Sequence, residues 1–262
     1  AHEATPARAR AMARSDGPAP AWWLAALLGA CAAQPPSVEV FYKVNCPHCA
    51  DFLRSAVAPL VAARLPGAEL RLHLSPVVQN PGSPEACLAD GRCAEALAQV
   101  CALRATVPYA PADSPLWPSA VEFVACHLAH TATVEGAGPD DLAQCASAAS
   151  LSEEELVACA AGGEEAFEAL RASQTDAASQ GAFDRLKSAG FANEEPMPWV
   201  FVGGDFYRCE GSGCYAVAHP SGDEPLEPPV TLLGLACQRL TSAPAACAAA
   251  ASAAAPAAPP AG

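Results

Sequence analysis

The chain has 262 residues, a formal net charge of −14 and 13 cysteines. That length allows one large domain or two small ones, and an acidic chain without a basic patch argues against nucleic acid as a partner. So many cysteines point to an oxidising compartment, where disulfides form and persist.

Residues 1 to 37 read as a signal or processing segment. Met12 is read as its start, with Ala13 and Arg14 as a short positive region that Asp16 dilutes. Ala21 to Ala30 (AWWLAALLGA) is an apolar run too short to span a bilayer. No transmembrane segment is therefore expected in the mature chain. Ala30-Cys31-Ala32 supplies the small residues of a cleavage site. Leu28 to Cys31 also resembles a lipoprotein cleavage box, and an uncleaved anchor or unstructured tail is the plainer alternative. Loss of Cys31 with this segment leaves an even number of cysteines, suited to pairing.

Val38, Val40, Phe41, Tyr42 and Val44 are β-formers and predict a buried strand that ends at Asn45. Beyond it Phe52, Leu53, Ala56, Val57, Leu60 and Val61 recur at helical spacing. Pro59 predicts a kink in this helix, and Pro66-Gly67 its end. Cys46-Pro47-His48-Cys49 thus sits where a strand hands over to a helix N-terminus. Unpaired N–H groups and a partial positive charge there favour an anion. A free thiol has a pKa near ~8.5, which falls to roughly 3.5–7.5 at helix N-termini and in Cys-X-X-Cys motifs. Cys46 is the expected nucleophile and Cys49, one turn on, the resolving thiol. Pro47 suits the first turn, and a protonated His48 adds positive charge. A structural disulfide is the bland reading. Half of a zinc site needs a second, matching pair of ligands, and no other C-x-x-C exists. Haem attachment needs His at position 50, which is Ala50.

Glu69 to Ser75 alternates, with Leu70, Leu72 and Leu74 against Arg71, His73 and Ser75, and predicts a half-exposed strand with His73 at the surface. Residues 83 to 190 read as helical: a start at Ser83-Pro84-Glu85, a break at Gly91, then Arg92 to Leu103, Pro118 to His130 and Asp140 to Ala148. Ser152 with Glu155 forms a capping box opening a helix to Ala161; Glu164 to Gln180 and Ala182 to Ala189 follow, closed by Gly190. Cys87, Cys93, Cys101, Cys126, Cys145 and Cys159 lie in this block. Cys93 and Cys101, eight apart on one helix, would be roughly 12 Å apart, beyond the limit of about 7 Å for a disulfide. Each must pair elsewhere, so the helices are expected to be stapled to one another, with the connectivity open. His127 and His130 lie a turn apart but lack an evident third ligand. They are read as surface residues, and no metal is expected.

Strand character returns at Pro198 to Val202. Gly203-Gly204 suits a hairpin and Asp205 to Cys209 the return strand. Cys209 to Cys214 reads as a short flexible loop that a disulfide closes. Residues 220 to 229 are a proline-rich connection, and Val230 to Leu240 a last helix containing Cys237, with Cys247 in the tail. Residues 248 to 262 hold only Ala, Pro, Ser and Gly and read as disordered. Pro198 opens a strand beside a Cys-X-X-Cys helix, so a cis Met197–Pro198 bond is expected, turning the Met197 backbone towards a substrate peptide. An ordinary trans proline at a strand edge is the alternative. Trp199 is read as core.

Without the helical block, residues 38 to 247 reduce to βαβ plus ββα. The fold class is α/β: a thioredoxin-like fold with a cysteine-stapled helical insertion between its halves, at about 83 to 190, able to form a lid over the active site.

The chain resembles the gamma-interferon-inducible lysosomal thiol reductase family over about residues 37 to 247. The likeness rests on VEVFYKVNCPHC, MPWVFVGG and LLGLACQRLTSAPAAC. CLADGRCAEALAQVC resembles the family's cysteine-rich signature, with Leu88, Ala89 and Ala96 where the family has Gln, His and Asn. VEFVACHLAH, DDLAQCASAASLSEEELVACAAG and Thr175 follow in the family's order. The resemblance implies a secretory, lysosomal, vacuolar or extracellular enzyme that reduces protein disulfides, often at acid pH. Asn45, Asn80 and Asn193 form no glycosylation sequon, so sorting by glycan is unsupported. The implied partners are disulfide-bonded proteins and a small thiol reductant. No cofactor is expected beyond the redox-active disulfide and that external donor. A DsbA-type oxidase or isomerase is the first alternative. A non-catalytic, disulfide-stapled helical binding protein is the second. In each, Cys87, Cys93, Cys101, Cys126, Cys145, Cys159, Cys209, Cys214, Cys237 and Cys247 are structural disulfide candidates.

Overall fold

Strand β1, Ser37–Lys43, carries apolar β-formers on both of its faces, so both faces must be covered, and Val38, Val40, Phe41 and Tyr42 are all fully buried. The computed structural model describes residues 35–78, 83–104, 110–133, 139–161, 164–175, 177–188, 190–191, 197–216, 229–242 and 244–252. The signal-segment reading, with Met12, the apolar run and Cys31, lies outside the described residues, as do most of the proline-rich connection and the end of the tail.

Helix α1 follows β1 as Pro47–Phe52, a π-helical turn Leu53–Val57, and Ala58–Ala62. The wide turn lies just before Pro59, whose ring excludes the ordinary i→i−4 bond. The Ala58 N–H reaches back five residues to the Leu53 carbonyl. The expected kink is thus expressed as a π turn. Strand β2, Arg71–Val77, runs parallel to β1, with Ser37 opposite Arg71 and Lys43 opposite Val77.

The second half begins with β4, Trp199–Val202, antiparallel to β1 on its other side, with Val40 opposite Val200. Gly203 and Gly204 take φ values of 61° and 92°, as a type I′ hairpin turn requires. They lead into β5, Asp205–Glu210, antiparallel to β4. Helix α9, Leu232–Gln238, is capped by Thr231, whose Oγ1 accepts from the Gly234 N–H at 3.0 Å. A parallel βαβ unit and an antiparallel ββα unit sharing one sheet define the thioredoxin-like fold. Short strands extend it: β3, Ala110–Pro111, beside β2, and β6, Gly213–Ala216, with β7, Val230–Thr231, beyond β5. The sheet order is β3-β2-β1-β4-β5-β6-β7.

Between the halves lie α2 Pro84–Ala89, α3 Gly91–Leu103, α4 Trp117–Thr133, α5 Pro139–Ala148, α6 Glu153–Ala161, α7 Glu164–Thr175 and α8 Ala177–Ser188. Ser152 Oγ accepts from the Glu155 N–H at 3.2 Å, capping α6. Gly190, at φ 86°, closes α8: its N–H meets the Lys187 carbonyl at 3.0 Å and the Phe191 N–H meets that of Leu186 at 2.9 Å, which is a Schellman motif.

These helices serve both faces of the sheet. On one, Val38, Val40 and Tyr42 share a core with Phe52, Leu53 and Leu60 of α1, Trp117 and Phe123 of α4, and Leu232 of α9. On the other, Phe41, Trp199 and Phe201 lie under Ala182 and Leu186 of α8 and under Phe191. Glu39 of β1, only 5 % exposed, receives Arg185 of α8 on both oxygens, at 2.7 and 3.3 Å. The Arg185 guanidinium also lies 3.9 Å above the Phe201 ring.

That second cover corrects the reading of β2. His73 and Ser75 are buried, at 3 % and 0 % exposure, not half exposed; α7 packs against the strand, and Phe41 lies 5.8 Å from the His73 ring. Other boundaries shift as well. The break near Gly91 falls at Asp90, and Gly91 opens α3. The helix expected over Glu164 to Gln180 stops at Thr175, and a new one starts at Ala177. The segment from Cys209 to Cys214 is not a loose loop but the end of a second hairpin, with the two cysteines directly opposite each other. The last helix starts at Leu232 after the short β7, and Ala245–Ser252 forms α10, so Cys247 and residues 248–252 are helical.

Cys87 pairs with Cys93 and joins α2 to α3; Cys101 pairs with Cys159, α3 to α6; Cys126 pairs with Cys145, α4 to α5. Cys209 bonds Cys214 across the hairpin, and Cys237 bonds Cys247 between α9 and α10.

Candidate active site

Asn45 takes a left-handed conformation, φ 60°, which Asn tolerates better than most residues. The chain thereby turns sharply out of β1 and places Cys46 at the N-cap of α1. Cys46 has extended dihedrals, φ −103° and ψ 108°, and Pro47 opens the helix. The Cys46 carbonyl takes the first helical bond, from the Ala50 N–H at 3.1 Å. Its Sγ accepts from the Cys49 N–H at 3.2 Å, as a capping Ser oxygen would.

Cys46 and Cys49 form a disulfide with a Cα separation of 5.2 Å. Their environments differ: Cys46 is partly exposed, while Cys49 is fully buried against the core. His48 is exposed at the rim. Across from the helix the Met197–Pro198 peptide is cis, and the Met197 carbonyl oxygen lies 3.8 Å from Cys46 Sγ. Trp199 behind it is buried and meets the Phe183 ring edge-on at 5.1 Å.

A groove of about 490 Å³ opens beside this pair. His48 and Asp51 of α1, Met197 and Pro198, and Arg208, Cys209, Glu210 and Gly211 of the β5–β6 hairpin line it. Among the described residues the lining comes from α1, the cis-proline segment and the hairpin, while α4 of the insertion packs along the active-site helix. The structure thus brings Cys46, Cys49, His48, Met197 and Pro198 together. Asp51, Arg208, Glu210 and Gly211 carry no site signal in the sequence, and Cys209 is read there only as a structural cysteine. Asp51 is one turn past His48 and was within reach of helical periodicity; the hairpin arrives only through strand pairing.

The remaining sequence-predicted cysteines sit in the other disulfides, and of these Cys209 also lines the groove. His127 is not a surface residue. It is 1 % exposed, stacks on Phe123 at 5.5 Å, and its Nδ1 lies 3.1 Å from Gln99 Nε2. Burial holds its pKa down to about 4, with Asp141 pulling it up and His130 pushing it down. His130 is partly exposed, and its Nδ1 lies 2.9 Å from Asp141 Oδ1.

No family model and no curated protein matches the chain. Among solved structures it is similar to oxidoreductase DsbA from Xylella fastidiosa, at 20 % identity and a TM-score of 0.38 over 68 % of this chain and 78 % of that one. DsbA from Chlamydia trachomatis aligns at 17 % identity and 0.43 over 67 % and 80 %. MdbA, a thiol-disulfide oxidoreductase from Actinomyces oris, aligns at 17 % and 0.34 over 68 % and 74 %.

Proposed function

We propose that the chain is a thiol–disulfide oxidoreductase that acts mainly as a reductase of protein disulfides, of the kind the lysosomal thiol reductase resemblance implies. The observation that carries this reading is the asymmetry of the Cys46–Cys49 pair. A partly exposed cysteine at a helix N-cap has its Sγ 3.8 Å from the carbonyl of the residue before the cis-proline, beside a groove, and its partner cysteine is buried.

In the dithiol form the Cys49 N–H and the helix N-terminus stabilise a Cys46 thiolate, and the neighbouring His48 tunes it. The thiolate attacks one sulfur of a substrate disulfide; the other sulfur leaves as a thiolate, and a mixed disulfide joins Cys46 to the substrate. Cys49 loses its proton and attacks Cys46 Sγ, which reforms Cys46–Cys49 and releases the second substrate thiol. Two molecules of a small thiol then reduce the enzyme and leave as their own disulfide. The backbone of the partly exposed Met197, on the groove wall, suits pairing with an extended substrate segment. We place this activity in the secretory pathway, in a lysosomal, vacuolar or extracellular setting.

A second reading shares the chemistry and reverses the direction. The N–H that Cys49 gives to Cys46 Sγ favours the thiolate, and a stabilised thiolate makes its disulfide more oxidising, as in a DsbA-type oxidase. Equilibration with glutathione separates the two: a potential near about −120 mV supports the oxidase and one near about −270 mV the reductase.

The direct test is reduction of a disulfide substrate by the full chain with a small thiol donor, from about pH 4.5 to about pH 7.5, a range that spans shifted thiol pKa values. Activity that Cys46→Ser abolishes is expected. An inert protein whose Cys46–Cys49 bond resists thiols would instead support the non-catalytic stapled binding module.

A further inference from the structure

Cys126 and His130 are four residues apart on α4, and Asp141 and Cys145 are four apart on α5. That spacing puts each pair on one face of its helix. The two helices pack together, and the Cys126–Cys145 bond, with a Cα separation of 5.5 Å, sets the two faces against each other. Both sulfurs and a ring nitrogen of His130 lie within 4.8 Å of one another. Asp141 holds Nδ1 of His130 at 2.9 Å. Cys145 is fully buried and Cys126 partly, while His130 keeps 31 % of its side chain exposed. The cluster therefore borders solvent on its His130 side and the core on its Cys145 side.

We propose that this cluster is a thiol-gated zinc site. Two thiolates and one imidazole are a donor set that zinc favours, at about 2.3 Å from sulfur and about 2.0 Å from nitrogen. Asp141, on Nδ1, takes the role of the carboxylate that orients a metal-bound histidine, leaving Nε2 as the nitrogen that ligates in this proposal. Three protein ligands leave a fourth position for water. The disulfide and the metal exclude each other. Two molecules of a small thiol reduce Cys126–Cys145 and leave as their own disulfide; Zn²⁺ then displaces one proton from each cysteine. The link between α4 and α5 persists in both states, and α4 is the helix that flanks α1.

The site is tested on the full chain carrying Cys46→Ser and Cys49→Ser, so that the active-site thiols cannot hold the ion. The protein is reduced with a trialkylphosphine without oxygen, mixed with zinc or cobalt, desalted and assayed for bound metal. A single equivalent of zinc is expected after reduction and none before it, and cobalt should give sulfur-to-metal charge transfer with tetrahedral d–d bands. Asp141→Asn should weaken binding about 10–100-fold, as loss of an orienting carboxylate does, and His130→Ala at least about 100-fold. Both variants keep the disulfide, and with it the starting fold. No zinc retained after reduction overturns the proposal. So does unchanged affinity in His130→Ala, or equal zinc in Cys126→Ser/Cys145→Ser, since either would put the ion on other cysteines.

Discussion

Cys49 has the most selective task of any side chain in the proposed reaction. It is buried behind Cys46, where it can reach the Cys46 sulfur but no large substrate. Cys49→Ala should leave the first attack intact and remove the second. The mixed disulfide should then accumulate as a covalent adduct of substrate on Cys46, visible by mass spectrometry without reductant. If Cys49→Ala turns over like the parent chain, Cys49 is not the resolving thiol. His127 supports a different prediction. Its pKa is about 4 in the fold against about 6.5 in an unfolded chain, so below pH 6.5 the unfolded state binds the extra proton first. The stability from keeping this ring neutral is fully present above about pH 6.5 and lost as pH falls towards 4. It amounts to about 3 kcal/mol in all, with about 2 kcal/mol gone near pH 5. Urea unfolding should show that decline in the parent chain and a flatter profile in His127→Gln. Parallel profiles would mean that His127 titrates normally. An acid-active reductase would work in the window where this contribution is fading.

At the scale of elements, the Arg185–Glu39 pair fastens α8 to the centre of the sheet. Removing Arg185 leaves a carboxylate at 5 % exposure with only Ser37 Oγ still donating to it, at 2.8 Å. Arg185→Leu should therefore destabilise the chain by about 3–5 kcal/mol, and adding Glu39→Gln should restore much of the loss; chemical denaturation of both variants measures it. A loss below about 1 kcal/mol would mean that the pair behaves as a solvated one. The same region shows why the sequence was readable in parts. β1, the Cys-X-X-Cys step and α1 are legible because apolar spacing, a breaking Asn and a proline are all local. The Gly203-Gly204 turn and the Gly190 cap are legible for the same reason. β2 is not legible because the helices that pack on it, α3 and, about ninety residues on, α7, give no local sign in its polar alternation of Arg71, His73 and Ser75. The two-residue strands β3 and β7 carry no periodicity of their own and exist only through pairing. The groove wall at 208–211 was hidden for that reason too.

Over the whole molecule, six disulfides are present among the described residues, and their settings rank them by access. Cys87, Cys93, Cys145 and Cys214 are at most 1 % exposed, and Cys209 is 7 % exposed even though it borders the groove. Cys101, Cys126, Cys159, Cys237 and Cys247 are partly exposed and tie one helix to another. Only Cys46 combines a partly exposed sulfur with a helix N-terminus that stabilises it as a leaving thiolate, and exchange rates depend on both access and leaving-group pKa. Graded reduction of the native chain with a small thiol, followed by alkylation and peptide mapping, should label Cys46 and Cys49 before any other pair. Stability ranks the bonds differently, by the loop each one closes, and there Cys101–Cys159 comes first. It closes a loop of 58 residues, so its removal by Cys101→Ala/Cys159→Ala should lower stability by about 4 kcal/mol on the chain-entropy account. Early labelling of a structural pair, with Cys46–Cys49 still intact, would break the link between helix-cap geometry and redox lability. It would leave the Cys-Pro-His-Cys step as one more staple in a stapled protein.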